Sequence, residues 1–276
     1  MTRIPLRRTA NLCEQPRIAA ERILTDNAQA GRGNLARPYS SVRRRLMRVA
    51  AVALGTAVSV VLVTLSAAHR VPLALTEVLG FVTGAWCVWL LVEENIWNWP
   101  IGIANNAFYV VVFWRARLFA DMSLQIVYIV LSIIGWYLWL HGGAGHGRLT
   151  VRRTRWREGA IIAVAVVVIT VAGTAFLRTV RDSAPFLDSL TTSISLAAQY
   201  MLTRKLIENW HLWIAVDVIY VGLYASRALP LTAVLYAIFL TMCIVGLLEW
   251  RRSEARAAAA VEAAIEDVVA LQVEAL

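Results

Sequence analysis

EENIWNWPIGIANNAFY, residues 93–109, returns in altered form as IENWHLWIAVDVIY, residues 207–220. Each stretch closes a polar turn and opens an apolar helix with an acid, an asparagine and two tryptophans. The likeness extends outward. One apolar run precedes each copy. The run that follows carries a tyrosine in its first half (Tyr128, Tyr236), a glycine in its second (Gly135, Gly246) and a tryptophan near its end (Trp139, Trp250). The second to fourth runs thus repeat as the sixth to eighth, with the fifth between them. Three membrane crossings invert the chain direction and a fourth restores it, so the copies run the same way. That predicts parallel repeats about an axis along the membrane normal, with a binding site between them near mid-membrane.

The composition agrees with a membrane class. The chain has 276 residues, 59% hydrophobic and 16% charged, with a mean hydropathy of +0.62. A soluble domain carries about 25% charged residues. From residue 46 onward, apolar runs recur at the length a helix needs to cross a ~30 Å hydrocarbon core. Eight are expected, near 47–67, 76–93, 99–114, 121–140, 159–177, 188–203, 210–226 and 229–250. Pro100, Asp121, Asp188 and Pro230 suit helix starts, where free N–H groups and a positive dipole end meet a carboxylate or a proline. The fold class is therefore an all-α polytopic membrane protein.

The net charge of +9 does not point to nucleic acid, because the arginines lie between apolar runs rather than on one patch. They read instead as topology. With the N-terminus inside, 21 of the 27 Lys and Arg residues fall on the cytoplasmic side and 6 outside. Eight spans with both termini cytoplasmic satisfy this count. Residues 1–45 read as a disordered basic tail. Residues 46–68 read as an extra transmembrane helix, with a cleaved signal-like segment starting at Met47 as the alternative. The core covers 76–252, and 253–276 form a cytoplasmic Ala-rich tail of high helix propensity.

Polar residues inside the spans are costly and usually face a cavity or a neighbouring helix. Asp217 is the one acid well inside a span. It shares a helix face with Trp210, Trp213, Tyr220 and Tyr224, a set suited to stacking a flat ring and hydrogen-bonding hydroxyls. A cationic ring would gain further from the aromatic faces. Other spans offer Asn105, Asn106 and Tyr109, then Gln125, Tyr128 and Ser132, then Thr192, Ser195 and Gln199. Helix-to-helix hydrogen bonding competes with ligand binding for each. Trp97 and Trp99 stand at a helix mouth, where an interfacial belt role competes. Cys13, Cys87 and Cys243 have neither metal nor disulfide spacing and read as packing residues. No metal motif, phosphate loop or nucleophile–base pair appears, so neither a cofactor nor enzymatic activity is expected.

At NWPIG (98–102), LFAD (118–121), GWYLW (135–139), ENWHLW (208–213) and VGLLEWRR (245–252) the sequence resembles the PnuC family of bacterial nicotinamide riboside transporters. The resemblance covers about residues 76–252. It implies a three-plus-one-plus-three helix core akin to an enlarged SWEET architecture, often homotrimeric, in the bacterial inner membrane. It also implies facilitated diffusion of nicotinamide riboside, trapped by a cytoplasmic riboside kinase. Trp210 and Trp213 match the W-x-x-W of the riboside branch. Related branches carry thiamine or riboflavin. The expected ligand residues are Trp210, Trp213, Asp217, Tyr220, Asn106, Gln125, Tyr128, Gln199 and Trp99. The expected partners are the riboside or a similar small vitamin and membrane lipids. A proton-coupled carrier using Asp217 is the mechanistic alternative.

Overall fold

The structure is a computed structural model that describes residues 46, 48–70, 75–117, 119–181, 183–227 and 230–274. The basic tail assigned to 1–45 lies outside the described residues. The chain divides into two compact units, Met1–Leu73 and Ala74–Leu276. In the first, α1 spans Arg48–Ala67. It ends where His69 adopts a left-handed backbone, φ 53°.

The second unit is all-helical. Its elements are α2 (Leu75–Val92), α3 (Asn98–Ala116), α4 (Phe119–His141), a 3-10 turn (Ala144–His146), α5 (Trp156–Thr179), α6 (Pro185–Thr203), α7 (Asn209–Ser226) and α8 (Pro230–Glu274). Among the described residues the only extended pairing is an isolated parallel bridge, Arg152 with Leu206. Each expected span coincides with a helix to within a few residues at its start. The exception is the end of the last, because α8 does not stop near residue 250. It runs 45 residues, about 67 Å at 1.5 Å per residue, and so carries the Ala-rich tail as one continuous rod. By length and composition alone α1, and the helices over Asp121–His141, Trp156–Thr179 and Thr232–Val273, qualify as membrane spans. Of the others, α2 falls short in length, its apolar stretch being Val78–Val92, and α3, α6 and α7 carry polar stripes along their length.

Packing follows small residues. Helix α2 packs on α3 and α8, α3 on α4, α4 on α6, α6 on α7, α7 on α8, and α5 chiefly on α6. Gly173 of α5 meets Ser189 of α6 so closely that a Cβ there would stand 2.9 Å from the serine Oγ. Thr170, Thr174, Ser189 and Ser193 are buried along this seam. Small polar residues of this kind let helices approach where lipid supplies no hydrophobic drive.

Helices α2 and α6 end in the same way. Glu94 and Lys205 take left-handed backbones, φ 52° and 51°. The amides that follow reach back five residues, Asn95 N–H to Leu90 O at 2.8 Å and Leu206 N–H to Met201 O at 3.0 Å. This is the double-bonded cap that usually takes glycine. Here two non-glycine residues of opposite charge hold the position. Lys205 Nζ donates to Glu94 Oε2 at 2.8 Å, across 111 residues of sequence.

Candidate functional site

Near those caps four tryptophans interlock. Trp99 of α3 packs its ring against Gly135 of α4, and Trp210 of α7 packs against Gly246 of α8. Trp99 stands edge-on to Trp139, centroids 5.2 Å apart, and Trp210 edge-on to Trp250 at 5.5 Å. Trp139 Nε1 donates to Leu202 O at 3.2 Å, at the end of α6. Trp250 Nε1 donates to Leu91 O at 3.1 Å, at the end of α2. Each member of one set maps onto the other by the 111-residue step that separates Glu94 from Lys205. Trp139 also lies 5.9 Å from Trp250 and under the Lys205 ammonium, 4.4 Å from its ring centroid.

The loop before α5 docks on this end. Arg152 N–H donates to Lys205 O and Ile207 N–H to Arg152 O, both at 3.1 Å. Glu208, at the mouth of α7, accepts from the amide of Thr154 at 2.9 Å and from its hydroxyl at 2.6 Å. Burial pushes the Glu208 carboxyl up. The two Thr154 bonds, its own backbone N–H and nearby His211 outweigh that and hold it below the usual carboxylate range.

Further along the helices the surroundings change from tryptophan to tyrosine and polar groups. Asp217 of α7 is only 6% exposed, and its Oδ2 accepts from the Cys243 thiol at 3.4 Å. One turn on, Tyr220 begins an aromatic band. It lies 4.8 Å from Tyr236 of α8, which stacks on Tyr224 at 5.3 Å with 9° between planes. The band continues through Phe239 to Phe81 of α2. From α6, Thr191 faces Tyr220 and Ser195 faces Tyr128 of α4. Gln199 Nε2 reaches Ser132 Oγ at 3.5 Å.

The structure thus brings Asp217, Tyr220, Tyr128 and Gln199 into one polar and aromatic region between α4, α6, α7 and α8. Trp213 is half-buried at the margin of the tryptophan cluster. Asn106 and Gln125 are half-buried on α3 and α4. Trp99 and Trp210 are both enclosed, Trp210 completely, and their rings face glycine and tryptophan. Sequence reasoning missed Tyr236 and Cys243 as members of this region. Tyr236 enters the sequence reading only as a repeat landmark, and a buried thiol beside a carboxylate has no sequence signature. Among the described residues no cluster of three His, Cys, Asp or Glu side chains could hold a metal ion.

The profile of the nicotinamide mononucleotide transporter family matches residues 74–252. The chain is 25% identical over 203 residues to the nicotinamide riboside transporter PnuC of Escherichia coli (strain K12), covering 64% of this chain and 85% of the relative. It is 24% identical over 179 residues to the riboflavin/roseoflavin transporter RibM of Streptomyces davaonensis, covering 63% and 84%. Among solved structures, the crystal structure of the vitamin B3 transporter PnuC superposes with a TM-score of 0.57 at 22% identity, covering 74% of this chain and 92% of that one.

Proposed function

The chain belongs to the nicotinamide mononucleotide transporter family, and from that premise we propose that it carries nicotinamide riboside across a bacterial inner membrane by facilitated diffusion. The observation that carries the reading is the buried Asp217 beside the tyrosine band of α7 and α8. A carboxylate at that depth is costly unless it meets a partner. The pyridinium ring of the riboside is such a partner, since it is cationic and flat. Asp217 would offset its charge, and Trp213, Tyr220 and Tyr236 would offer π-faces. Tyr128, Gln199, Asn106 and Gln125 would hydrogen-bond the ribose hydroxyls. Trp99 and Trp210 would fix the helices that present these groups rather than touch the ring.

In this reading α2–α4 and α6–α8 are parallel three-helix repeats linked by α5. The reciprocal bonds from Trp139 to Leu202 and from Trp250 to Leu91 support it, as does the mutual packing of α2 with α8 and α4 with α6. Alternating access is a rocking of one repeat against the other around a fixed site. The carrier spends no ATP. Net uptake is drawn by a cytoplasmic kinase that phosphorylates the riboside, the protein works as a homotrimer, and its C-terminus is cytoplasmic.

Proteoliposomes loaded with unlabelled nicotinamide riboside test the proposal. Labelled riboside should enter by counterflow, unaffected by a protonophore, and excess riboflavin or thiamine should not block it. A second reading, riboflavin transport, is favoured by the almost equal identity to a riboflavin carrier. Block by riboflavin, with riboflavin counterflow in place of riboside counterflow, would establish that reading. Loss of accumulation with a protonophore would instead make Asp217 a proton carrier.

A further inference from the structure

Helices α5 and α6 touch tightly at Gly173 and Ser189, and toward the N-terminus of α5 they line a cavity together. This cavity has a volume of about 1140 Å³ and is partly open. Its walls are apolar, formed by Ile162, Ala165, Val166 and Ile169 of α5 and by Leu196 and Ala197 of α6. From Glu158 to Ile169 it runs along about 16 Å of helix at 1.5 Å per residue. That is about half of a ~30 Å hydrocarbon core, the depth of a single leaflet.

The mouth is strongly basic. Arg152, Arg155, Arg157 and Arg204 rim it, and Glu158 is the one acid in the lining. That acid is already taken, because Arg152 donates to both its oxygens at 2.9 and 3.1 Å. Among the described residues Arg155, Arg157 and Arg204 have no carboxylate in ion-pair reach. Two of these guanidiniums rest on aromatic rings, Arg157 over Trp156 at 5.2 Å and Arg204 over Tyr200 at 5.6 Å. Stacking holds them at the mouth while their N–H edges stay available. Trp156 is 77% exposed, and aromatic side chains of this kind settle at the headgroup level.

We propose that this groove is a binding site for one anionic glycerophospholipid, its phosphate held by Arg155, Arg157 and Arg204 and an acyl chain laid along the α5–α6 trough. The charge complementarity selects the occupant. An apolar helix from a second copy would fill the walls but leave three unpaired arginines, whereas a zwitterionic lipid would bring its own cation to them. A basic pocket between transmembrane helices is the known form of such headgroup recognition. Because α5 packs chiefly on α6, a lipid in this trough would brace the helix that joins the two halves.

The test is native mass spectrometry of the full chain in detergent, with phosphatidylglycerol or phosphatidylcholine of the same acyl chains at equal mole fraction. One phosphatidylglycerol per protomer should persist, and phosphatidylcholine should be lost at lower activation energy. Arg155→Gln/Arg157→Gln/Arg204→Gln should weaken retention at least tenfold, and Arg148→Gln/Arg251→Gln/Arg256→Gln, equal in charge, should not. Ala165→Trp should fill the trough and displace the lipid while leaving every arginine in place. It therefore decides the matter if the arginine variant does not fold. Glycerol phosphate should not raise the melting temperature. Equal retention of both lipids, full retention in Ala165→Trp, or disulfide-linked dimers of Ile162→Cys through the groove would overturn the proposal.

Discussion

At the capped end of the molecule the two halves use matching residues. Trp99, Gly135 and Trp139 answer to Trp210, Gly246 and Trp250, each at the 111-residue step. Halfway along the same helices the matching becomes partial, with Tyr109 still answering to Tyr220. At that step Gly102 stands where the other half has Trp213, Asn106 where it has Asp217, and Gln125 where it has Tyr236. The first region is symmetric, closed and made of rings against glycines. The second is asymmetric, polar and half-buried. A contact between two like halves needs the same partner twice, so packing tolerates symmetry. A small ligand with one charged ring and one sugar does not have two like halves. In the proposed reading, the tryptophan end holds the helices and the middle recognises the ligand.

The largest effect should come from the symmetric end. Trp250→Ala removes an enclosed ring and one of the two donors to the Leu91 carbonyl, which keeps the Glu94 N–H, at a cost of ~3–5 kcal/mol. Trp139→Ala should cost a similar amount, because it removes the equivalent bond to Leu202. Thermal unfolding in detergent, followed for both variants, measures this. A large loss in one and none in the other would break the symmetry on which the comparison rests.

Next comes the pair that crosses between halves. Lys205 is 7% exposed, so Glu94→Gln would strand a buried ammonium at a cost of about 3 kcal/mol. The double variant Glu94→Gln/Lys205→Met should recover much of that loss, and a double-mutant cycle on the unfolding free energies reads the coupling. Additive single effects would show that the two caps are held independently.

In the middle region the expected effects separate stability from binding. Asp217→Asn keeps the shape and removes the charge. Riboside affinity should fall at least tenfold, about 1.4 kcal/mol, with the melting temperature unchanged. Calorimetry on the purified variant, paired with a melting curve, decides it.

The smallest effect is a pH dependence at the capped end. The folded carboxyl of Glu208 titrates below its unfolded value. Its contribution is therefore present above the unfolded value of about 4.3 and is lost as pH falls through the lower folded value. Glu208 is only half-buried, so screening limits the contribution to roughly a few tenths of a kcal/mol. Melting temperatures of wild type and Glu208→Gln should converge as pH drops from 6 to 3.

Span positions were legible because they are written in local order: run length, capping residues and the Asn-Trp openings at 98–99 and 209–210. The depth of Asp217 was legible for the same reason, from its place in an apolar run. What each tryptophan faces was not. A Trp that packs on glycine, meets a ligand or sits at the lipid surface is the same letter, and Trp99 and Trp210 turned out to pack on Gly135 and Gly246. The Glu94–Lys205 pair was hidden because its partners lie in different halves. The Asp217–Cys243 contact was hidden because Cys243 carries no chemistry of its own in the sequence. The length of α8 also escaped, since residues 253–276 have high helix propensity but nothing local that says whether a break precedes them.

The central claim, that recognition lives in the asymmetric middle, is tested most directly by titrating nicotinamide riboside calorimetrically into wild type, Trp213→Ala and Asp217→Asn. The account predicts saturable binding to wild type and at least tenfold weaker binding to both variants, with their melting temperatures preserved. Wild-type affinity in Asp217→Asn, or no binding of the riboside to the wild-type protein, would contradict it.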